Sequence, residues 1–89
     1  MPESPEAHEN LATLLDLTGS STEAIAEYRN ALRLRPDYAE AHYNLGNALF
    51  YARNQVAARA EYAEAVRLRP DFAAAREMLA RLPGLPTGP

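Results

Sequence analysis

The sequence predicts an all-α protein in which antiparallel helix-turn-helix repeats stack as an α-solenoid of five helices. Three observations predict it: a repeat with a period of 34 residues, helix start and stop signals at matching places in each copy, and small and aromatic residues at helical spacing. The 89 residues are 47% hydrophobic and 24% charged, which is ordinary for one small globular domain.

The repeat appears when residues 5–38 are aligned with residues 39–72, where 16 of 34 positions are identical. Unrelated sequences would share about two or three. A third copy begins at Ala73, because Ala75 and Leu79 repeat Ala41 and Leu45. The predicted organisation is an N-terminal extension (1–4), two repeats (5–38 and 39–72), a C-terminal capping helix (73–82) and a flexible tail (83–89).

The first predicted helix runs from about residue 5 to residue 18. Ser4 suits the N-cap position and Pro5 suits the first helical position. Gly19 is expected to end the helix in the left-handed conformation.

The second predicted helix runs to about residue 35, where Pro36 closes the repeat. The segment Ser20-Ser21-Thr22-Glu23 has the pattern of a capping box, with Ser20 as the cap. Three further starts are predicted by Asp37-Tyr38-Ala39-Glu40, by Asn54 and by Asp71, opening helices that end near residues 52, 69 and 82.

Small residues recur where the helices should touch. Ala24, Tyr28 and Ala31 share a helix face, and the second copy repeats them as Ala58, Tyr62 and Ala65. The other side of each hairpin should come from Leu11, Leu15, Leu45 and Leu49. The second helices end with Arg33, Arg35, Arg67 and Arg69, where a cation complements the helix dipole; the alternative is a basic patch that recognises nucleic acid or anionic lipid.

This pattern resembles the tetratricopeptide repeat family across residues 5–82. The second copy carries the resemblance as His42-x-x-Leu45-Gly46-x-x-Leu49, then Ala58-x-x-x-Tyr62, Ala65 and Pro70; the first carries His8-x-x-Leu11-Ala12-x-x-Leu15, then Ala24-x-x-x-Tyr28, Ala31 and Pro36. The resemblance implies a right-handed α-solenoid whose first helices line a concave groove that holds a protein or peptide.

The chain departs from the family pattern at four positions. His8 and His42 replace the usual Trp, Arg53 replaces the usual turn Gly, and Gln55 stands where an aromatic is common. We therefore expect the turn at Arg53 to be looser or differently shaped. The histidines are expected to pack in place of Trp, and protonation should weaken the array below about pH 6.

The resemblance places ten candidate peptide- or protein-binding residues on the groove. They are Glu9, Thr13, Asp16, Glu40, Tyr43, Asn44, Asn47, Phe50, Tyr51 and Arg76. Among them Tyr43, Asn47, Phe50 and Tyr51 share a helix face and are favoured, although Phe50 and Tyr51 could instead pack on the neighbouring helix. A clamp for a C-terminal carboxylate is not favoured, because Glu9 and Glu77 would repel it.

Other chemistries find little support. The sequence has no Cys and offers no third ligand beside the two histidines, which argues against a bound metal or cofactor. It shows no catalytic set and no phosphate-binding loop, so we do not expect an enzyme. A net charge of −3 argues against a nucleic-acid partner. The sequence has no apolar run long enough to span a membrane, so we expect no membrane insertion. The absence of a secretory signal predicts a cytoplasmic protein, and Arg without Lys suggests a GC-rich bacterium.

The sequence therefore predicts a protein-protein interaction module. The alternative is a structural or assembly subunit that self-associates or is locked into a larger complex, motivated by the short chain and an apolar last helix. A third hypothesis is that this sequence is one piece of a longer repeat array.

Overall fold

The computed structural model of the protein describes residues 4–82, and within them all regular structure is α-helical. The helices are α1 (Pro5–Leu17), α2 (Ser21–Leu34), α3 (Ala39–Tyr51), α4 (Gln55–Leu68) and α5 (Ala73–Arg81). The predicted helices are confirmed, with each end within one residue of its expected place. Most of the predicted N-terminal extension and the whole predicted tail lie outside the described residues.

The helices pack in chain order. Within each hairpin α1 packs on α2 and α3 on α4, and between hairpins α2 packs on α3 and α4 on α5. This succession is the all-α solenoid that the repeat predicted.

Two of the predicted N-caps form. The Ser4 hydroxyl accepts a hydrogen bond from the Ala7 backbone N–H at 3.2 Å. The Asn54 side-chain oxygen accepts from the Ala57 backbone N–H, also at 3.2 Å. Each satisfies an amide that the first helical turn leaves without a partner.

The predicted capping box at Ser20 does not form, because the Ser20 side chain makes no capping bond. Its ψ angle of 61° is close to the 75° of Asn54, which does cap. An Asn carries its oxygen one atom farther from the backbone than Ser does, so it can reach the helix amides from this geometry.

The predicted aspartate caps of α3 and α5 are also wrong. The N-cap positions belong to Tyr38 and Phe72, one residue after Asp37 and Asp71, and neither helix has a side-chain cap. The Tyr38 backbone N–H bonds the Arg35 carbonyl at 3.2 Å, which closes a tight turn around the proline. That turn brings the aromatic residue, and not the aspartate, to the helix entrance.

The two intra-hairpin turns have the same shape, contrary to the expectation for Arg53. Gly19 has a φ of +88° and Arg53 a φ of +66°, so both lie in the left-handed region. Two equivalent hydrogen bonds close the turns, Ser20 N–H to the Leu15 carbonyl at 2.8 Å and Asn54 N–H to the Leu49 carbonyl at 2.9 Å. The helix-ending motif therefore imposes its geometry on Arg53, at a steric cost that Gly does not incur.

The predicted seams between helices are confirmed. Tyr28 is 2% exposed, and Tyr62 and the four alanines of the repeated face are fully buried. The alanines let the backbones approach, and the tyrosine rings fill the space beside them.

The leucine faces are confirmed in α3 and only partly in α1. Leu45 and Leu49 are buried, whereas Leu11 is 44% exposed. The reason is positional: in α3 this face is covered by α2, and no described helix precedes α1. At the other end of the array, Leu79 is half-buried and Leu82 is buried, so the last helix directs these side chains inward.

Candidate binding groove

The surface shared by the first helices of the hairpins starts with a polar junction between α1 and α3. The Glu9 carboxylate accepts hydrogen bonds from the Tyr38 hydroxyl at 2.9 Å and from the Asn44 amide at 2.8 Å. Burial, and then the bond to this carboxylate, raises the pKa of Tyr38 to about 12. Glu9 and Asn44 are thus half-buried residues that join two repeats.

The junction between α3 and the start of α5 is aromatic, whereas the junction between α1 and α3 is polar. Tyr43, 34 residues after Glu9, lies 5.0 Å from Phe72 between ring centroids, and Phe72 follows Tyr38 by the same spacing. The Tyr43 ring also lies 5.8 Å from that of Tyr62. Tyr43 is consequently half-buried and holds α3 against its neighbours more than it faces solvent.

Thr13 and Asn47 serve the buried tyrosines. The Thr13 hydroxyl lies 3.0 Å from the Tyr28 hydroxyl. The Tyr62 hydroxyl donates to the Asn47 side-chain oxygen. Burial raises the pKa of both tyrosines. A hydrogen-bonding residue at the same place in both repeats was the sequence signal for this role, which sequence reasoning missed.

The acidic residues at the start of the groove are paired with arginine. Glu40 bonds Arg69 at 2.7 Å and Glu6 bonds Arg35 at 2.6 Å. The Arg69 guanidinium lowers the pKa of Glu40 below its ordinary value. Arg35 and Arg69 therefore link the end of each second helix to the start of its first helix.

The remaining charged candidates lie at the two ends of the array. Asp16 is half-buried near the end of α1, and Arg76 is exposed at the start of α5. Arg76 donates to the Pro70 carbonyl at 3.2 Å, and Arg81 bonds Glu77 at 2.6 Å. The arginines at this end of the groove are engaged within the chain.

Phe50 and Tyr51 lie beside an open depression within the predicted site. Tyr51 is 73% exposed, and its ring meets the half-buried Phe50 ring edge-on, with centroids 5.7 Å apart. The two rings, Arg53 and Gln55 line a depression of about 470 Å³ at the turn between α3 and α4. Sequence reasoning missed Arg53 and Gln55 as lining residues, although both are departures from the family pattern within four residues of Tyr51.

The two histidines each bond a glutamate of their own hairpin. His8 Nδ1 lies 2.6 Å from Glu27 and His42 Nδ1 lies 2.7 Å from Glu61. Burial, the largest influence, lowers the pKa of His42, but bonds to the Glu61 carboxylate and the Pro36 carbonyl outweigh it and raise the pKa above the ordinary value. Protonation of His42 is thus favoured by the fold, opposite to the expectation that it weakens the array.

The described part of the chain also bears on metal binding and on membrane insertion. Residues 4–82 contain no group of three or more His, Cys, Asp or Glu side chains arranged to hold a metal ion. None of their helices combines the length and the apolar character needed to cross a membrane.

Stacked antiparallel hairpins with aligned first helices define the class of helical repeat proteins. The family model described as TPR repeat matches residues 17–51, and the model described as Tetratricopeptide repeat matches residues 39–72. The chain belongs to the tetratricopeptide repeat family, whose repeats generally mediate protein-protein interactions and are typically non-enzymatic scaffolds.

Among solved structures, the crystal structure of MamA is similar to this chain, with a TM-score of 0.84 and 25% sequence identity. The similarity covers 85% of this chain and 44% of that chain, so the protein spans less than half the length of MamA. No curated protein sequence matches the chain.

Proposed function

We propose that the protein binds a peptide or protein segment in the groove, and that Phe50 and Tyr51 anchor it. The supporting observation is the exposure of Tyr51, at 73%, beside a depression that residues 4–82 leave open. Rigid aromatic side chains supply large contact area at low entropic cost, and are enriched at the centres of interfaces.

The lining of the depression indicates the chemistry of the ligand. Two rings would receive an apolar side chain, while the Arg53 guanidinium and the Gln55 amide would bond a carboxylate or carbonyl beside it. We therefore propose a segment with an apolar residue next to a hydrogen-bond acceptor, and no catalytic role for the site.

The bonds made by four of the other candidate residues favour a role in holding the helices together. Glu9, Thr13, Asn44 and Asn47 bond partners within the chain, so a ligand would have to replace those bonds to use them. The proposed binding site therefore comprises fewer residues than the full groove.

The test is a selection of peptides from a displayed library, followed by affinity measurements with the selected peptides. Tyr51→Ala should weaken binding by about tenfold or more, as expected for an aromatic anchor. Leu17→Ala is the matched control, because Leu17 is the equivalent of Tyr51 on α1, is 80% exposed and lies outside the depression. Equal affinities for the wild type and Tyr51→Ala would contradict the proposal.

Assembly into a larger complex is the second candidate function. The favouring observation is at α1, where Leu11 and Leu14 are exposed, and not at the last helix, whose Leu82 is buried.

A further inference from the structure

One row of side chains is buried in α3 and open in α1. Ala41, Leu45 and Ala48 are between 0% and 1% exposed. Their equivalents 34 residues earlier are Ala7, Leu11 and Leu14, which are all exposed. We name Ala7, Leu11 and Leu14 the α1 seat.

Ala75 and Leu79 continue the row on α5, where Ala75 is buried and Leu79 is half-buried. Leu82, at the next position of the series, is the C-cap residue directly after α5 and is 6% exposed. Leu14 occupies the position of Leu82 on α1. The α1 seat therefore has side chains of the kind that the two internal rows bury.

The helix that covers each internal row is the second helix of the preceding hairpin. α2 packs on α3, and α4 packs on α5. Ala24 and Tyr28 of α2 belong to the same buried cluster as Leu45 and Ala48 of α3. The established partner of such a row is thus a helix with alanines bracketing a tyrosine.

The sequence ahead of α1 keeps the phase of the repeat. Pro36 and Asp37 recur as Pro70 and Asp71, and the same spacing places Pro2 and Glu3 before α1. In sequence register, α1 is therefore equivalent to a helix that follows a second helix.

We propose that the α1 seat binds an amphipathic helix of a partner protein, of the second-helix type with an Ala-x-x-x-Tyr-x-x-Ala face. The covered rows of α3 and α5 extend in register to α1, so the proposed contact continues an interface already present twice. A second copy of this chain fits less well, because its own α2 and α4 bury those alanines and tyrosines against their neighbours.

A single-cysteine footprint tests the proposal on the full chain, since the sequence contains no cysteine. The probe is a peptide of residues 20–37, kept helical by a hydrocarbon staple between positions 22 and 26, which are both exposed in α2. At saturating peptide, thiol labelling of Leu14→Cys should slow by about tenfold, as expected for burial behind a helix. Labelling of Tyr51→Cys, on the proposed ligand depression, should not change.

Two further measurements, with a variant peptide and by sedimentation, complete the test. A stapled peptide with Tyr28→Asp should give no protection, because a charge would then face the apolar seat. The proposal is overturned if Leu14→Cys is not protected, or if the peptide protects Tyr51→Cys instead. It is also overturned if sedimentation without peptide shows a dimer that Leu14→Asp abolishes, since that result assigns the seat to a second copy.

Discussion

Gly46 of α3 lies directly against the ring of Tyr62 of α4. A Cβ atom at Gly46 would stand 2.8 Å from Tyr62 Cε1 and 2.9 Å from Cδ1. Carbon atoms in proteins do not normally approach so closely. The ring cannot easily withdraw, because it is fully buried and its hydroxyl bonds Asn47. This glycine is therefore a packing requirement of the second hairpin.

Gly46→Ala should destabilise the protein by about 1–2 kcal/mol, because overpacking of the core outweighs the better helix propensity of Ala. Urea unfolding followed by circular dichroism would measure the change. The matched control is Ala12→Gly, at the equivalent position of α1, which removes a methyl group without creating a clash. An unchanged or raised unfolding free energy for Gly46→Ala would show that the Tyr62 ring can move aside.

The second prediction concerns the backbone at Arg53. Its φ of +66° is costly for a residue with a side chain and natural for Gly. Arg53→Gly should therefore raise the unfolding free energy by about 1 kcal/mol. If Arg53 also contacts the proposed ligand, the same variant should bind selected peptides more weakly while being more stable.

The equivalent residue in the first hairpin supplies the reverse experiment. Gly19 has a φ of +88° and open space around it, so Gly19→Ala tests backbone conformation alone. It should lower the unfolding free energy by about 1 kcal/mol. Changes of the same sign in Gly19→Ala and Arg53→Gly would contradict the shared geometry of the two turns.

The helices and the seams were predictable because both depend on local patterns. Pro, Gly and the alanine-tyrosine face recur at the same spacing, and such residues act on their own turn or on the adjacent helix. The burial of Tyr28 and Tyr62 followed directly. The turn at Arg53 was mispredicted because the hydrogen bonds of the helix-ending motif fix its shape, whatever residue occupies the left-handed position.

The candidate site was harder to predict, because a residue's position on a helix face does not reveal its partner. Glu9 was assigned to the groove by resemblance, but Tyr38 and Asn44, 29 and 35 residues away, bond its carboxylate. For Thr13 and Asn47 likewise, the sequence does not show that a tyrosine hydroxyl lies opposite each side chain. Long-range hydrogen bonds depend on how hairpins stack, which a single sequence does not display.

The third prediction separates the structural role of Asn47 from a ligand-binding role. Asn47→Ala should cost about 1–2 kcal/mol without any ligand, because the Tyr62 hydroxyl loses its acceptor. In a Tyr62→Phe background the same substitution should cost less, since no hydroxyl remains to be satisfied. Additive effects of the two substitutions would contradict a coupling between these side chains.

The last prediction is a pH dependence that originates at His42. Burial, the largest influence, lowers the pKa of the His42 ring, but the Glu61 and Glu64 carboxylates and the Pro36 carbonyl outweigh it and leave that pKa above the ordinary 6.5. A raised pKa means that the folded state binds the proton more tightly than the unfolded state does. The stabilisation of the folded state by protonated His42 is thus present at pH values below the ordinary pKa, and it is lost as the pH rises through the folded-state pKa.

The contribution of His42 to the unfolding free energy should accordingly be largest below its ordinary pKa of 6.5 and should fall as the pH rises through the raised folded-state pKa. Urea unfolding at several pH values would measure it, with His42→Gln as the matched variant that retains hydrogen bonding but does not titrate. The difference between the wild type and His42→Gln should grow as the pH falls towards 6. A difference that is the same at every pH would show that the His42–Glu61 pair contributes only as neutral groups.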